Sequence, residues 1–146
     1  MPEKTYSFKE IGDQIYAKLN EIVNTRLWAV YNRDVKIEDW ISLPAITITP
    51  NNWTVELLDS CSYQSKYEFN IRLFDRIQDD IAGVEDNMRI LADEIMSKLK
   101  EVGTITWTNS NWMSVKVEYE WNWRYSNTQE PLRVFEVKMV FTAIER

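Results

Sequence analysis

Few groups in this chain can build a reactive centre. It has no histidine and a single cysteine, Cys61. Serine and cysteine nucleophiles activated by imidazole, and ordinary zinc sites, are therefore excluded. Cys61 has neither a histidine base nor a cationic pair near it in sequence to lower its pKa, so it reads as a structural thiol. With one cysteine no intrachain disulfide can form, which fits a reducing compartment.

The carboxylates are the next candidates. Asp75, Asp79, Asp80, Glu85 and Asp86 fall close together, but they lack the glycine and the terminal glutamate of an EF-hand loop. N-capping and compensation of a helix dipole account for them without a metal. Glu118 and Glu120 could be drawn as a glycosidase pair, yet they share one strand face with Lys116, Asn122 and Arg124, the pattern of a solvated sheet surface. Glycine is too scarce for a phosphate loop: there are 3, and Gly83 sits where a helix begins. No catalytic residue, cofactor or metal is expected. The 7 tryptophans remain. On a solvent-facing sheet they would make a sugar platform, but they occupy the apolar face of their strand, which favours burial for Tyr119 and Trp121.

The elements that carry these groups are legible from periodicity. Tyr67, Phe69, Ile71 and Leu73 alternate with polar residues, as in a strand burying one face. Ile81, Val84, Met88, Leu91, Ile95, Leu99 and Val102 recur at steps of three and four, so a long amphipathic helix follows and needs a sheet to cover. Asp79 and Asp80 offer its N-cap, Lys98 and Lys100 suit its last turn, and Gly103 is placed for a left-handed C′ residue. Arg89, Asp93 and Glu94 are expected toward solvent or a neighbour.

A first helix is signalled by Ser7 and Glu10 as a capping box, with Tyr6 and Ile11 as the staple, and runs to about Asn24 through Phe8, Ile11, Ile15, Leu19 and Ile22. Trp28, Val30 and Tyr31 suggest a short extended piece, and Asn32 to Trp40 a loop. Leu43 to Pro50 reads as a strand, Pro50-Asn51-Asn52 as a turn, and Trp53, Val55 and Leu57 as the returning arm of a hairpin. Asp59 to Ser65 reads as a loop, and Thr104 to Thr108 as a brief strand ended by Asn109-Ser110-Asn111.

Met113 to Tyr125 alternates without a break, and Leu132 to Ile144 returns after a turn at Ser126 to Pro131, so a long antiparallel hairpin closes the chain. That strand spans about 43 Å at roughly 3.3 Å per residue, against about 33 Å for the helix from Ile81 to Val102 at 1.5 Å. The helix leaves uncovered the end with Trp121, Trp123 and Tyr125. Exposed aromatics of this kind mark interfaces, with Trp123 as the expected anchor.

The 146 residues carry no internal repeat or linker and form one domain, 1–146. The net charge of −6 argues against nucleic-acid binding, which rests on clustered cations. No apolar run approaches a membrane span, and the first residues lack a basic stretch followed by an apolar one, so a soluble cytoplasmic protein is expected.

This order of elements resembles the tail terminator family of long-tailed bacteriophages, the small neck proteins that cap a finished tail tube. The resemblance rests on the helix from Phe8, Leu43-Pro44-Ala45-Ile46-Thr47-Ile48, Tyr67-Glu68-Phe69-Asn70-Ile71-Arg72, the helix from Val84-Glu85 to Leu99 with Leu91-Ala92-Asp93-Glu94-Ile95, and the closing hairpin with Pro131-Leu132-Arg133. It covers nearly the whole chain. Together with the periodicities it implies an α+β single domain, two helices packed on one face of a mainly antiparallel mixed sheet with a long C-terminal hairpin. It further implies a non-enzymatic virion protein, assembled in the host cytoplasm as a hexameric ring between the tail tube protein and a head-connector or stopper protein. DNA would pass through the ring without specific binding, and Asp79, Asp80, Glu85 and Asp86 would face that channel, where a negative wall repels the duplex. The tryptophan-rich closing hairpin departs from the family pattern and leaves open another neck role, head closure or tail completion. A ligand-binding module with an aromatic cavity is the alternative from a different class.

Overall fold

The computed structural model describes residues 7–24, 26–33, 43–77, 81–104, 112–126 and 132–145. Helix α1 spans Ser7–Asn20, strand β1 Ala29–Tyr31, β2 Ala45–Leu57, β3 Tyr63–Arg76, helix α2 Ile81–Thr104, β4 Trp112–Ser126 and β5 Leu132–Glu145. The strands form one sheet in the order β1-β2-β3-β5-β4, parallel between β1 and β2 and antiparallel elsewhere.

Both helices cover one face of this sheet. Ile11, Ile15 and Leu19 of α1 and Met88, Leu91, Ile95, Leu99 and Val102 of α2 are buried against Ile46, Ile48, Phe69, Ile71, Leu73, Val137, Met139 and Phe141. Each helix thus buries the stripe that its three-and-four spacing defines, and β3 buries alternate residues from Ser65 to Asp75. The opposite sheet face is charged. Arg72 donates to Glu136, Arg124 Nη2 lies 3.4 Å from the same Glu136 carboxylate, and Lys138 lies 3.8 Å from Glu68. Glu118 and Glu120 are exposed on this face, as befits a solvated surface. Lys18 of α1 lies 3.4 Å from Glu101 of α2, and Lys98 of α2 lies 3.0 Å from Glu21 in the turn that follows α1.

Several boundaries differ from the sequence reading. Residues 45–57 form one strand rather than a hairpin: β2 pairs along its length with β3, and Pro50-Asn51-Asn52 holds a β-bulge, with Asn51 the extra residue. The bulge absorbs the proline and switches the parity of the apolar positions from even to odd. The reversal lies at Leu58 to Ser62, where the Leu58 N–H donates to the Ser62 carbonyl at 2.9 Å and the Cys61 N–H to Asp59 Oδ1 at 2.8 Å. Tyr63 to Ser65 accordingly belong to β3 and not to a loop.

Helix α1 stops at Asn20, short of Asn24. Helix α2 continues through Gly103 to Thr104, and no glycine has a positive φ, so Gly103 is no left-handed cap and Thr104 opens no strand. Its glycine serves a close approach instead: a Cβ there would meet the Tyr119 hydroxyl at 2.6 Å. Arg89 and Asp93 are exposed, whereas Glu94 is half-buried with Oε2 enclosed. The Tyr6 staple, Asp79 and Asp80, the rest of the Thr104–Thr108 strand and the turns at Asn109 and after Ser126 lie outside the described residues.

Candidate functional site

The apolar row of edge strand β4 is the candidate site. In the sheet, Val117, Tyr119, Trp121 and Trp123 stand opposite Phe141, Met139, Val137 and Phe135 of β5, all on the helix-covered side. At one end the row is anchored: Val117 and Tyr119 pack against the core, and the Tyr119 hydroxyl donates to the Leu99 carbonyl of α2 at 2.9 Å. Burial holds the Tyr119 phenol above its ordinary pKa. At the other end Trp121 is 56% exposed and Tyr125 59%. Alternation alone favoured burial of Trp121 and strand length its exposure; it is exposed, beside an open groove between α2 and β4.

Trp123 between them is half-buried. Its ring lies 4.8 Å from that of Phe135, and the Arg133 guanidinium sits 4.9 Å from the Trp123 ring and 4.5 Å from the Tyr125 ring. Arg133 is itself placed by Glu85 of α2, with Nε 2.6 Å from Oε1 in an ion contact that is not a hydrogen bond. Trp123 is thus partly the chain's own core, and Trp121 and Tyr125 carry most of the exposed surface. Between α2 and β4 runs an open groove of about 530 Å³, lined by Trp121, Trp123, Phe135 and Met96, with Arg89 and Lys100 on its helical side.

Of the acidic candidates, Glu85 is turned onto Arg133 and also lies 3.9 Å from Arg89, whereas Asp86 is exposed. Asp79 and Asp80 lie outside the described residues. Asp75 is buried, its carboxyl raised above the usual range by that burial, with Oδ1 accepting the Arg76 N–H at 2.8 Å. No group of three or more His, Cys, Asp or Glu side chains converges on a metal position among the described residues. No described helix is long and apolar enough to cross a membrane.

A second exposed patch escaped the sequence reading. Trp53, Val55 and Leu57, at 55%, 56% and 60% exposure, continue the helix-side face of β2 beyond α1, where Phe8 of α1 and Tyr67 of β3 pack on Trp53, at 5.6 Å and 5.5 Å between ring centroids. Its signal was the shift of apolar residues from even to odd positions at Pro50. Compared with known proteins, the chain matches no family model and no curated sequence.

Proposed function

We propose that this protein is a structural component of a long-tailed phage virion, a tail terminator that caps the completed tail tube as a hexameric ring and joins the tail to the head connector. One observation carries the reading: an edge strand whose aromatic row ends in exposed Trp121 and Tyr125. Trp and Tyr concentrate binding energy at protein interfaces, and a soluble monomer seldom leaves them uncovered. The net charge of −6 agrees with a wall along which DNA passes without holding. Within that ring Asp86 faces the channel or its rim, with Asp79 and Asp80 assigned the same role; Glu85 serves to hold Arg133. Head closure is the neighbouring role in the same neck.

The groove beside Trp121 supports a second reading, a module that takes an apolar ligand between α2 and β4. Mass photometry with and without tail tubes separates the two. A particle near six times 17.4 kDa, seen by electron microscopy on tube ends, is the expected result. A stable monomer that takes up a lipid or dye and ignores tubes would establish the ligand module instead.

A further inference from the structure

Among the described residues the sheet has two bare edges. Strand β1 covers β2 only from Ala45 to Thr47, so among the described residues the outer edge of β2 is unpaired from Ile48 to Leu57, and β4 has no neighbour beyond β5. Unpaired edges of this length are templates for another strand, and proteins normally blunt them. Each edge also carries exposed apolar side chains on the helix side, Trp53, Val55 and Leu57 on β2 and Trp121 and Tyr125 on β4. We propose that the two edges are the halves of one interface: β4 of one copy pairs with β2 of the next, head to tail. The proposal deepens the ring reading and rests on it only for closure of the assembly.

Strand polarity permits this directly. Three antiparallel steps separate β2 from β4, so β4 runs opposite to β2, and an identically oriented second copy presents β2 antiparallel to it. All helices then remain on one side of a continuous sheet. Because opposite residues share a face, the helix-side residues of β2 must meet those of β4.

Charge selects among the allowed registers. With Val55 opposite Val117, Glu56 faces Lys116, Thr54 faces Glu118, Asn52 faces Glu120, and Trp53 lies against Tyr119. Lys116 Nζ is already 3.1 Å from Glu118 within its own strand, and Glu56 joins that pair from the neighbour. Sliding by two residues in one direction sets Glu56 against Glu118, and in the other sets it against Ser114 with no charge matched. Like charges directly opposite oppose pairing. In the favoured register, with Asn51 bulged out as it is against β3, Ile48 faces Trp123, so the overlap ends where β1 begins. A rival occupant is a second β4 in a two-fold pairing about Trp121, which sets Glu118 against Arg124 but leaves the apolar edge of β2 bare.

Opposite residues of antiparallel strands have Cα atoms about 4.5–5.5 Å apart, within the range a disulfide spans. In a Cys61→Ser background, the double variant Thr54→Cys, Glu118→Cys should therefore oxidise to a ladder of covalent oligomers, and neither single variant should. Both positions are exposed, so the monomer fold is not at stake. As a second measurement, Glu56→Lys and Lys116→Glu should each abolish assembly in mass photometry, while their 1:1 mixture restores it. Absence of a ladder, an unaltered assembly in both charge variants, or a Trp121→Cys single variant that cross-links to a dimer overturns the proposal. A ladder without capping of tail tubes leaves this interface standing and removes the tail reading. Capping without a ladder does the reverse.

Discussion

The hydroxyl of Tyr119 reaches the carbonyl of Leu99 at 2.9 Å, and it does so over Gly103, where a Cβ would meet it at 2.6 Å. This tie fixes the edge strand to the end of the long helix. Tyr119→Phe should cost about 0.5–1.5 kcal/mol in denaturant melts, the net worth of one hydrogen bond. Gly103→Ala gains up to about 1 kcal/mol of helix propensity, yet should still destabilise because its Cβ displaces the hydroxyl. In the Tyr119→Phe background that cost should shrink, and strict additivity of the two substitutions would refute the arrangement.

Leu91 lies at the centre of the α2 stripe and is fully buried. Leu91→Ala should lower stability by about 2–5 kcal/mol, as core truncations do. A loss below about 0.5 kcal/mol, typical of surface sites, would contradict its packing.

Arg133 holds the free end of β4 through two rings and one carboxylate. Arg133→Ala should cost about 1–3 kcal/mol, since the cation–π contacts are lost and Glu85 keeps only its longer contact with Arg89. Arg133→Lys should recover little, because an ammonium cannot stack on both rings. Equal stability of the lysine variant and the parent would show that charge alone matters.

Acid should destabilise the fold through Glu136. Burial alone would raise its carboxyl, but the hydrogen bond and charge of Arg72, with the charge of Arg124, outweigh it and leave the group below the ordinary glutamate value. A group depressed in the folded state adds stability above its unfolded pKa and loses it as pH falls through the folded one. Asp75 has the opposite sign: its raised carboxyl favours the folded state as pH falls. Between neutral pH and the acid range, Glu136→Gln should therefore flatten the decline in urea midpoint, and Asp75→Asn should steepen it. Parallel profiles for all three proteins would exclude both roles.

Trp121→Glu should leave the far-ultraviolet spectrum and melting midpoint of the monomer nearly unchanged, since the side chain is 56% exposed, while eliminating higher assemblies. Persistence of those assemblies would remove the aromatic end of β4 from any interface. Trp123→Glu is the less informative substitution, because its ring packs on Phe135 and should unfold the chain in part.

Periodicity made most of this fold readable in advance. The stripe from Met88 to Val102, the alternation from Tyr67 to Leu73 and the closing hairpin are each long enough for one period to dominate, and all three fold as their patterns require. The failures are local. At Pro50 a change of parity reads equally well as a turn between two strands or as a bulge within one, and only the partner strand decides. At Gly103 the sequence offers a cap, but the need of Tyr119 for room is a contact with β4, invisible from α2 alone. The exposure of Trp121 was half legible: lengths showed that an end of the strand must be bare, while alternation alone favoured burial. The clamp of Arg133 by Glu85 could not be read at all, since nothing in either neighbourhood signals a contact between residues so far apart in the chain.

The bulge at Asn51 has a consequence for how this chain can vary in length. Strand β2 carries one residue more than β3 uses, with Pro50 opposite Phe69 and Asn52 opposite Glu68. Loss of a single codon there would restore a regular ladder and return Trp53, Val55 and Leu57 to the same partners on the same face. Loss of two would rotate every following side chain by half a turn, presenting Thr54 and Glu56 to the helices and the tryptophan to the charged side. Among descendants of this sequence, the stretch between Thr49 and Trp53 should therefore tolerate the first deletion and be purged of the second.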